Sequence, residues 1–203
     1  INLLPHAVRE LDALGLLDHL GIERAVFAGM SQGGFLSMRA ALTAPERVRA
    51  LVLIDSTADL DDPATIDGYR GMLHVFEHSN AEQQSKVFEI TAGLILGDET
   101  LGNEWIQPPG IERQALDRQQ LIWAGGALIS RDDIMDRLHE ITCPVLTIHG
   151  TDDVAITIDR ARSLAAMLSD HRGFLEVPGA AHAPNMTHPD EVNAAIRKFL
   201  SSL

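Results

Sequence analysis

Ser31 lies in the run Gly29-Met30-Ser31-Gln32-Gly33-Gly34, with a glycine two residues to either side. A serine hydroxyl is a weak nucleophile at its own pKa and needs an adjacent base, and an imidazole titrates in the right range for that task. The imidazole needs a carboxylate on its far nitrogen to fix the tautomer and stabilise the imidazolium. Both partners occur downstream: an aspartate pair in His149-Gly150-Thr151-Asp152-Asp153 and a histidine in Gly179-Ala180-Ala181-His182. Asp152, Asp153 and Asp55 are rival acids. His188 is a rival base, but it precedes Pro189 and reads as a helix-entry residue. His149 reads as a packed, hydrogen-bonded histidine at a strand end. His74 and His78 share a helical face, and two histidines without a third ligand are a poor metal site. No metal and no cofactor are expected.

The elements that must position these residues follow from apolar patterning. Ala25-Val26-Phe27-Ala28 is a short apolar run bounded by turn residues and predicts a buried strand. Phe35 to Thr43 predicts a helix stopped by Pro45. A serine on such a strand-to-helix turn is a G-x-S-x-G nucleophile elbow. Side chains at positions 29 or 33 are expected to collide with the packed strand or helix. The helix start turns free N–H groups and a positive dipole end toward a developing anion, so the Gln32 backbone N–H is the expected oxyanion donor.

Upstream, Pro5 to Leu20 predicts an amphipathic helix with Val8, Leu11, Leu14, Leu17 and Leu20 inward and Gly21 as its stop. Further strands are predicted at Leu51–Ile54, Val145–Ile148 and Phe174–Val177. Thr157 should cap a helix carrying Ala161, Leu164, Ala165 and Leu168 inward, and a last helix should begin at Pro189. Continuous apolar runs alternating with helices indicate a parallel sheet covered on both faces, an α/β fold. From about Ala58 to Glu140 the strand signals vanish. Tyr69–His78, Ala81–Leu96 and Ile111–Ala124 predict helices, broken by Gly97, Pro108-Pro109 and Gly125-Gly126. The expected organisation is a core of residues 1–57 and 139–203 with a helical cap over 58–138, which holds Tyr69, Trp105 and Trp123.

Composition sets the outer bounds. The 203 residues suffice for one domain with a sizeable core, and 45% hydrophobic with 22% charged residues is ordinary for a globular protein. A net charge of −13 argues against nucleic acid and anionic membranes, both of which reward Lys and Arg patches. Cys143, the single cysteine, cannot form an internal disulfide and reads as a buried structural thiol. No apolar run is long enough to span a bilayer, and no signal peptide is evident, so a cytoplasmic location is expected.

With those residues in view, the chain resembles the α/β-hydrolase superfamily over nearly its whole length. The resemblance rests on the elbow, on Pro45 to Asp55, on Cys143 to Asp153 and on Gly179-Ala180-Ala181-His182. It implies that Ser31 is the nucleophile, that His182 is the base, and that the acid is the third residue after the His149-Gly150 pair, Asp153. It implies a cofactor-free serine hydrolase of esters, lactones or similar small acyl substrates. Perhydrolase, acyltransferase and carbon–carbon hydrolase chemistry use the same parts.

The resemblance also leaves a gap. No H-G-x-P-type loop precedes Ser31, so the second oxyanion donor is expected to be absent from this chain. An incomplete or incompetent fragment is therefore an alternative. The strand Ala25–Ala28 would then be an unpaired edge, open to self-association or to pairing with an N-terminal fragment. A dinucleotide-binding reading is remote: the spacing Gly29, Gly33, Gly34 is not G-x-G-x-x-G, and it leaves Asp153 and His182 unexplained.

Overall fold

A computed structural model describes residues 6–97 and 118–203. Among the described residues four strands form one parallel sheet in the order β1-β2-β3-β4: β1 Ala25–Met30, β2 Val48–Ile54, β3 Val145–Gly150 and β4 His171–Val177. The helices are α1 His6–His19, α2 Gln32–Thr43, α3 Pro63–His78, α4 Ala81–Leu96, α5 Arg118–Ile129, α6 Ile158–Met167, α7 Pro184–Thr187 and α8 Pro189–Leu200. Short 3-10 turns at Pro45–Arg47 and Met135–Glu140 lead into β2 and toward β3. Among the described residues no helix is long and apolar enough to cross a membrane.

The two-residue period of the strands divides the core in two. Leu51, Leu53 and Val145 pack on one face with Phe35 and Met38 of α2, Leu138, and Leu164 of α6. Val52, Ile54, Leu146 and Ile148 pack on the other face with Val177 and with Val192 and Phe199 of α8. Both faces of β2 and β3 are thus covered, which explains the apolar run Ala50–Ile54 and the largely apolar β3, where Thr147 and His149 are the polar exceptions. Strand β4 starts three residues before the predicted Phe174, because His171 and Gly173 continue the ladder with Val145 and Leu146.

Helix α1 departs from the expected stripe. Leu14 and Leu17 are buried, but Leu11 and Leu20 stand in solvent at 55% and 58% exposure. Residues spaced by three lag about 60° per step on a helix of 3.6 residues per turn, so a run of such steps winds round the helix instead of tracking one face. Thr157 does occupy the N-cap of α6 with extended dihedrals, but its side chain makes no capping bond.

Between β2 and β3 the chain makes a helical excursion. Helix α5 runs through Gly125-Gly126 to Ile129, where the sequence predicts a break. The reason is packing: α5 lies on α3 so closely that a Cβ on Gly125 would collide with the Leu73 side chain. The first part of the predicted helix Ile111–Ala124, with Pro108-Pro109 and Trp105, lies outside the described residues.

The excursion leaves and rejoins the sheet at one ion network. Arg131, with a side chain 3% exposed, donates to Asp61 Oδ2 at 2.8 Å and to the Leu128 carbonyl at 2.8 Å. Its guanidinium also sits 4.5 Å above the Phe35 ring. Arg160 of α6 reaches Asp61 Oδ1 at 2.7 Å and Asp59 Oδ1 at 2.8 Å. Arg39 of α2 holds Asp132 through its carbonyl at 2.6 Å and its carboxylate at 2.8 Å. Removing one member of a buried pair strands the other charge, a loss of about 3–5 kcal/mol. Arg160 still holds Asp61 in Arg131→Ala, so that variant should lose less, about 1–3 kcal/mol, in urea unfolding. A loss below about 0.5 kcal/mol would show that the network does not hold the fold.

The elbow glycines do not all play the part the sequence suggests. A Cβ on Gly29 would strike the Gly33 backbone, and one on Gly34 would strike Ser56. A Cβ on Gly33 meets nothing within 4 Å. The contact with the Gly33 backbone thus constrains position 29 and not position 33. Gly29→Ala should therefore lower the melting temperature sharply, while Gly33→Ala in the first turn of α2 should be neutral or raise it slightly. Equal losses for both variants in thermal denaturation would contradict this packing.

Candidate active site

Ser31 links β1 to α2 with φ 48° and ψ −116°, a left-handed conformation that is uncommon for any residue other than glycine. Its N–H is held by the Ile54 carbonyl at 2.8 Å, and its own carbonyl accepts from Ser56 Oγ at 3.0 Å and from Gly34 N–H at 2.9 Å. A serine at a helix N-cap normally turns its hydroxyl onto the first-turn N–H groups. Here that bond is absent, and the side chain is half-buried. Gln32 is the first residue of α2, so its N–H is one of those without an intrahelical acceptor and lies at the positive end of the helix.

The strand register brings the other groups to the same rim. Met30 pairs with Ile54, Ile54 with Ile148, and Gly150 with Val177, so Ser31, Asp55, the 151–157 loop and the 178–183 loop all leave the carboxyl edge of the sheet. This is where open parallel sheets build their sites. The two later loops are tied together by Thr151 N–H to the Val177 carbonyl at 3.0 Å and Asp152 N–H to the Ala180 carbonyl at 2.9 Å. Gly150 permits that approach, since a Cβ there would overlap the Ala180 and Ala181 carbonyls.

Asp153 and His182 meet in this lock. His182 Nδ1 stands 2.8 Å from Asp153 Oδ2, with side chains 6% and 0% exposed. An ionised carboxylate only accepts, so Nδ1 carries the proton and Nε2 is left as the free basic nitrogen. Asp153 Oδ1 accepts from Ala155 N–H at 2.8 Å and Ile156 N–H at 3.0 Å. Burial would raise this carboxyl, but the hydrogen bonds from His149 and His182 and from the loop backbone hold it well below the usual carboxylate range.

The rivals are placed elsewhere or otherwise engaged. Asp152 is exposed and accepts from Thr151 Oγ1 at 2.9 Å. His188 is the N-cap residue of α8 and its Nδ1 pairs with Thr187 Oγ1 at 2.9 Å. His149 is buried and donates from Nε2 to the Ile156 carbonyl at 2.8 Å. Asp55 is fully buried beside the pair, with φ 43° and its Oδ1 on Gly150 N–H at 3.0 Å. His74 and His78 stack at 4.3 Å on an exposed face of α3. Cys143 is buried, and burial pushes its thiol up from the usual range.

Two contacts have no signal in the sequence. Gln32 Nε2 donates to the Ala124 carbonyl of α5 at 3.0 Å, so the side chain beside the elbow is tied to the excursion. At the end of α4, Gly97 abuts Ala181, the residue before His182.

A parallel sheet with a strained serine turn and a buried Asp–His pair at its carboxyl rim defines the α/β-hydrolase class. The chain belongs to the alpha/beta hydrolase family, whose model matches residues 3–195. It is 27% identical over 184 residues to the pimeloyl-[acyl-carrier protein] methyl ester esterase of Aliivibrio salmonicida, covering 88% of this chain and 69% of that protein. It is 29% identical over 195 residues to the 2-hydroxy-6-oxo-6-phenylhexa-2,4-dienoate hydrolase of Burkholderia cepacia, covering 93% of this chain and 66% of that protein. A hydrolase structure from Pseudomonas aeruginosa superposes with a TM-score of 0.83 at 25% identity, over 98% of this chain and 73% of that one.

The bonds of Asp153 predict a difference in stability between the neighbouring acids. Asp153→Ala leaves two loop N–H groups and His182 Nδ1 without their acceptor and should cost at least about 2 kcal/mol. Asp152→Ala should stay within about 0.5 kcal/mol of the parent. Chemical denaturation of both variants checks this, and a reversed order would remove Asp153 from its place at the centre of the site.

Proposed function

We propose that the chain hydrolyses small acyl esters through a covalent intermediate on Ser31, with His182 as general base and acid, Asp153 as its carboxylate and the Gln32 N–H as an oxyanion donor. The observation that carries this reading is the buried 2.8 Å Asp153–His182 bond on the same rim as the strained Ser31 turn.

In this scheme His182 Nε2 takes the Ser31 proton as Oγ attacks the acyl carbon. The negative charge that develops on the acyl oxygen faces the start of α2 and the Gln32 N–H. His182 then gives the proton to the departing alkoxide, which leaves as the alcohol. Water, deprotonated by His182, attacks the acyl-serine and releases the acid. Throughout, Asp153 stays ionised and holds the imidazole in one tautomer. The hydrogen bonds that keep Asp153 anionic favour that role.

Residues 58–138 are proposed as a cap over the acyl group, with Trp123 of α5 on it and with Gln32 and Ala181 as its contacts to the site. The similarity to a methyl ester esterase favours an ester with a small alcohol portion. The similarity to a dienoate hydrolase makes carbon–carbon bond hydrolysis the second reading, since attack on a carbonyl flanked by a stabilised carbon leaving group needs the same three side chains.

A fluorophosphonate probe should label Ser31 in the folded protein, and Ser31→Ala should abolish the label. His182→Ala should lower ester hydrolysis by at least about 10³-fold, with Asp153→Asn severe but one to two orders of magnitude milder. Labelling that survives Ser31→Ala would overturn the nucleophile. Turnover of a phenyl-substituted oxo-dienoate with no turnover of methyl esters would favour the second reading.

A further inference from the structure

We propose that Asp55 and His149 form a buried proton-sharing pair behind Asp153, which positions that carboxylate and sets how strongly it supports His182. The inference rests on the reading of Asp153 and His182 given above.

The four side chains are all interior, between 0% and 6% exposed. With both carboxyls ionised and both rings neutral, the cluster would hold two uncompensated negative charges away from water, which is strongly unfavourable. One extra proton halves that charge, and the hydrogen bonds decide where it can sit. Asp153 is saturated: two backbone N–H groups bind Oδ1, while His182 Nδ1 at 2.8 Å and His149 Nε2 at 3.2 Å converge on Oδ2. Asp55 has only the Gly150 N–H on Oδ1, and its buried Oδ2 has no partner. Asp153 is therefore the anion, and the proton belongs to Asp55 or to the ring facing it. Asp55 Oδ1 and His149 Nε2 are 3.6 Å apart, too far for a hydrogen bond but close enough for each charge to govern the other. Since Nε2 already carries the proton given to the Ile156 carbonyl, the extra proton sits on the Asp55 carboxyl or on the second ring nitrogen of His149.

Titration tendencies agree with this geometry. Burial pushes the Asp55 carboxyl up to about 7, even against the opposing pull of His149. Burial works against a charged His149 ring, but its bond to Asp153 and the charge of Asp55 outweigh that and raise it. Two carboxyls within 4.8 Å of each other are thereby driven apart, one toward the anion and one toward the acid, as in sites where one proton is shared. The groups facing the pair are Asp153 from the loop after β3, His182 from the loop after β4, and Glu176, the register partner of His149 on β4. Tyr69 of α3 also feels the Asp153 charge, and Glu176 is itself paired with Arg162 at 2.9 Å. The Ile156 carbonyl requires a proton on His149 Nε2, which orients the ring toward Asp153. Asp55 is held at φ 43° by the Gly150 bond and by its N–H on the Ile148 carbonyl at 2.9 Å. A strained, buried, half-satisfied acid beside reacting groups is the pattern expected of a residue kept for function.

The consequence is a second ionisation in the working range. When the pair loses its proton, a further negative charge appears within 4.8 Å of both Asp153 and His182 and favours the imidazolium formed in the transition state. Asp55 and His149 are positioning residues in this scheme, since neither touches the acyl group.

The test is the pH profile of kcat/KM for a methyl ester, in the parent and in Asp55→Asn and His149→Gln. The parent acid limb should bend through two ionisations, approaching a slope of 2. Each variant should follow one ionisation, with slope 1 and the limb displaced to lower pH in Asp55→Asn. An identical two-ionisation limb in parent and variants, or a single ionisation in the parent, overturns the pair. Should a variant fail to fold, ¹⁵N chemical shifts of the His149 ring in the parent decide. Biphasic titration supports the pair, and a single isolated titration overturns it. Ser31→Ala and Asp153→Asn are run beside these. Activity persisting in both would refute the triad itself, while the ring titration would still report on the pair.

Discussion

The structure turns on one backbone constraint. Ser31 must sit at φ 48° between a strand and a helix, and the turn is closed by the Gly29 backbone pressing on that of Gly33. Left-handed geometry at a serine costs on the order of 1–3 kcal/mol and survives only where neighbours leave no alternative. Those neighbours are the Ile54 carbonyl on the Ser31 N–H, Ser56 on the Ser31 carbonyl, and the bare flank of Gly34 against Ser56. The strain is thus stored by β2, whose own place is fixed by burial on both faces. Sheet, elbow and α2 form a single mechanical unit, and the hydroxyl is released from helix capping as a result.

The sheet also does the aligning. Asp153 and His182 are 29 residues apart and lie on separate loops, yet both are within reach because β3 and β4 run parallel and in register to their last residues. Gly150 and Ala180 then let the two loops touch. The site gathers two carboxyls and two imidazoles that are almost wholly buried, so charge, not shape, is what the fold must manage there. It does so by giving nearly all the donors to one carboxyl.

Much of this was legible in the sequence, and for identifiable reasons. Leu51–Ile54 and Val145–Ile148 read as buried strands because parallel strands covered on both sides are almost wholly apolar. Ala25–Ala28, expected to be buried as well, is only half-buried with Ala28 exposed, because β1 is an edge of the described sheet. The shared rim of Ser31, Asp153 and His182 was legible because each follows a strand of one parallel sheet within a few residues. What escaped notice was set by contacts between distant segments. Helix α5 passes through Gly125-Gly126 because Leu73 needs the missing side chain, a fact that belongs to α3 as much as to α5. Leu11 and Leu20 fit a three-residue spacing that does not follow one helical face. The Gln32–Ala124 bond joins residues 92 positions apart, and no local pattern encodes it. Asp55 was visible as an acid at a strand end, but its partnership with His149 depends on which donors Asp153 has already taken.

The network of Arg131, Asp61, Arg160 and Asp59 has a bearing on how such a protein can change over generations. It clamps the two stems of the helical excursion beside each other, so everything between them enters and leaves the core at a single point. For a flexible loop, doubling the length between fixed ends costs only about 0.6 kcal/mol in closure entropy. Insertions, deletions and substitutions between the stems therefore leave the register of β2 against β3 untouched. The segment proposed as a cap is thus free to diverge, while the strands that carry Ser31, Asp153 and His182 to one rim stay under strict constraint. The rim can in this way be inherited intact by descendants whose excursions differ widely in length and sequence.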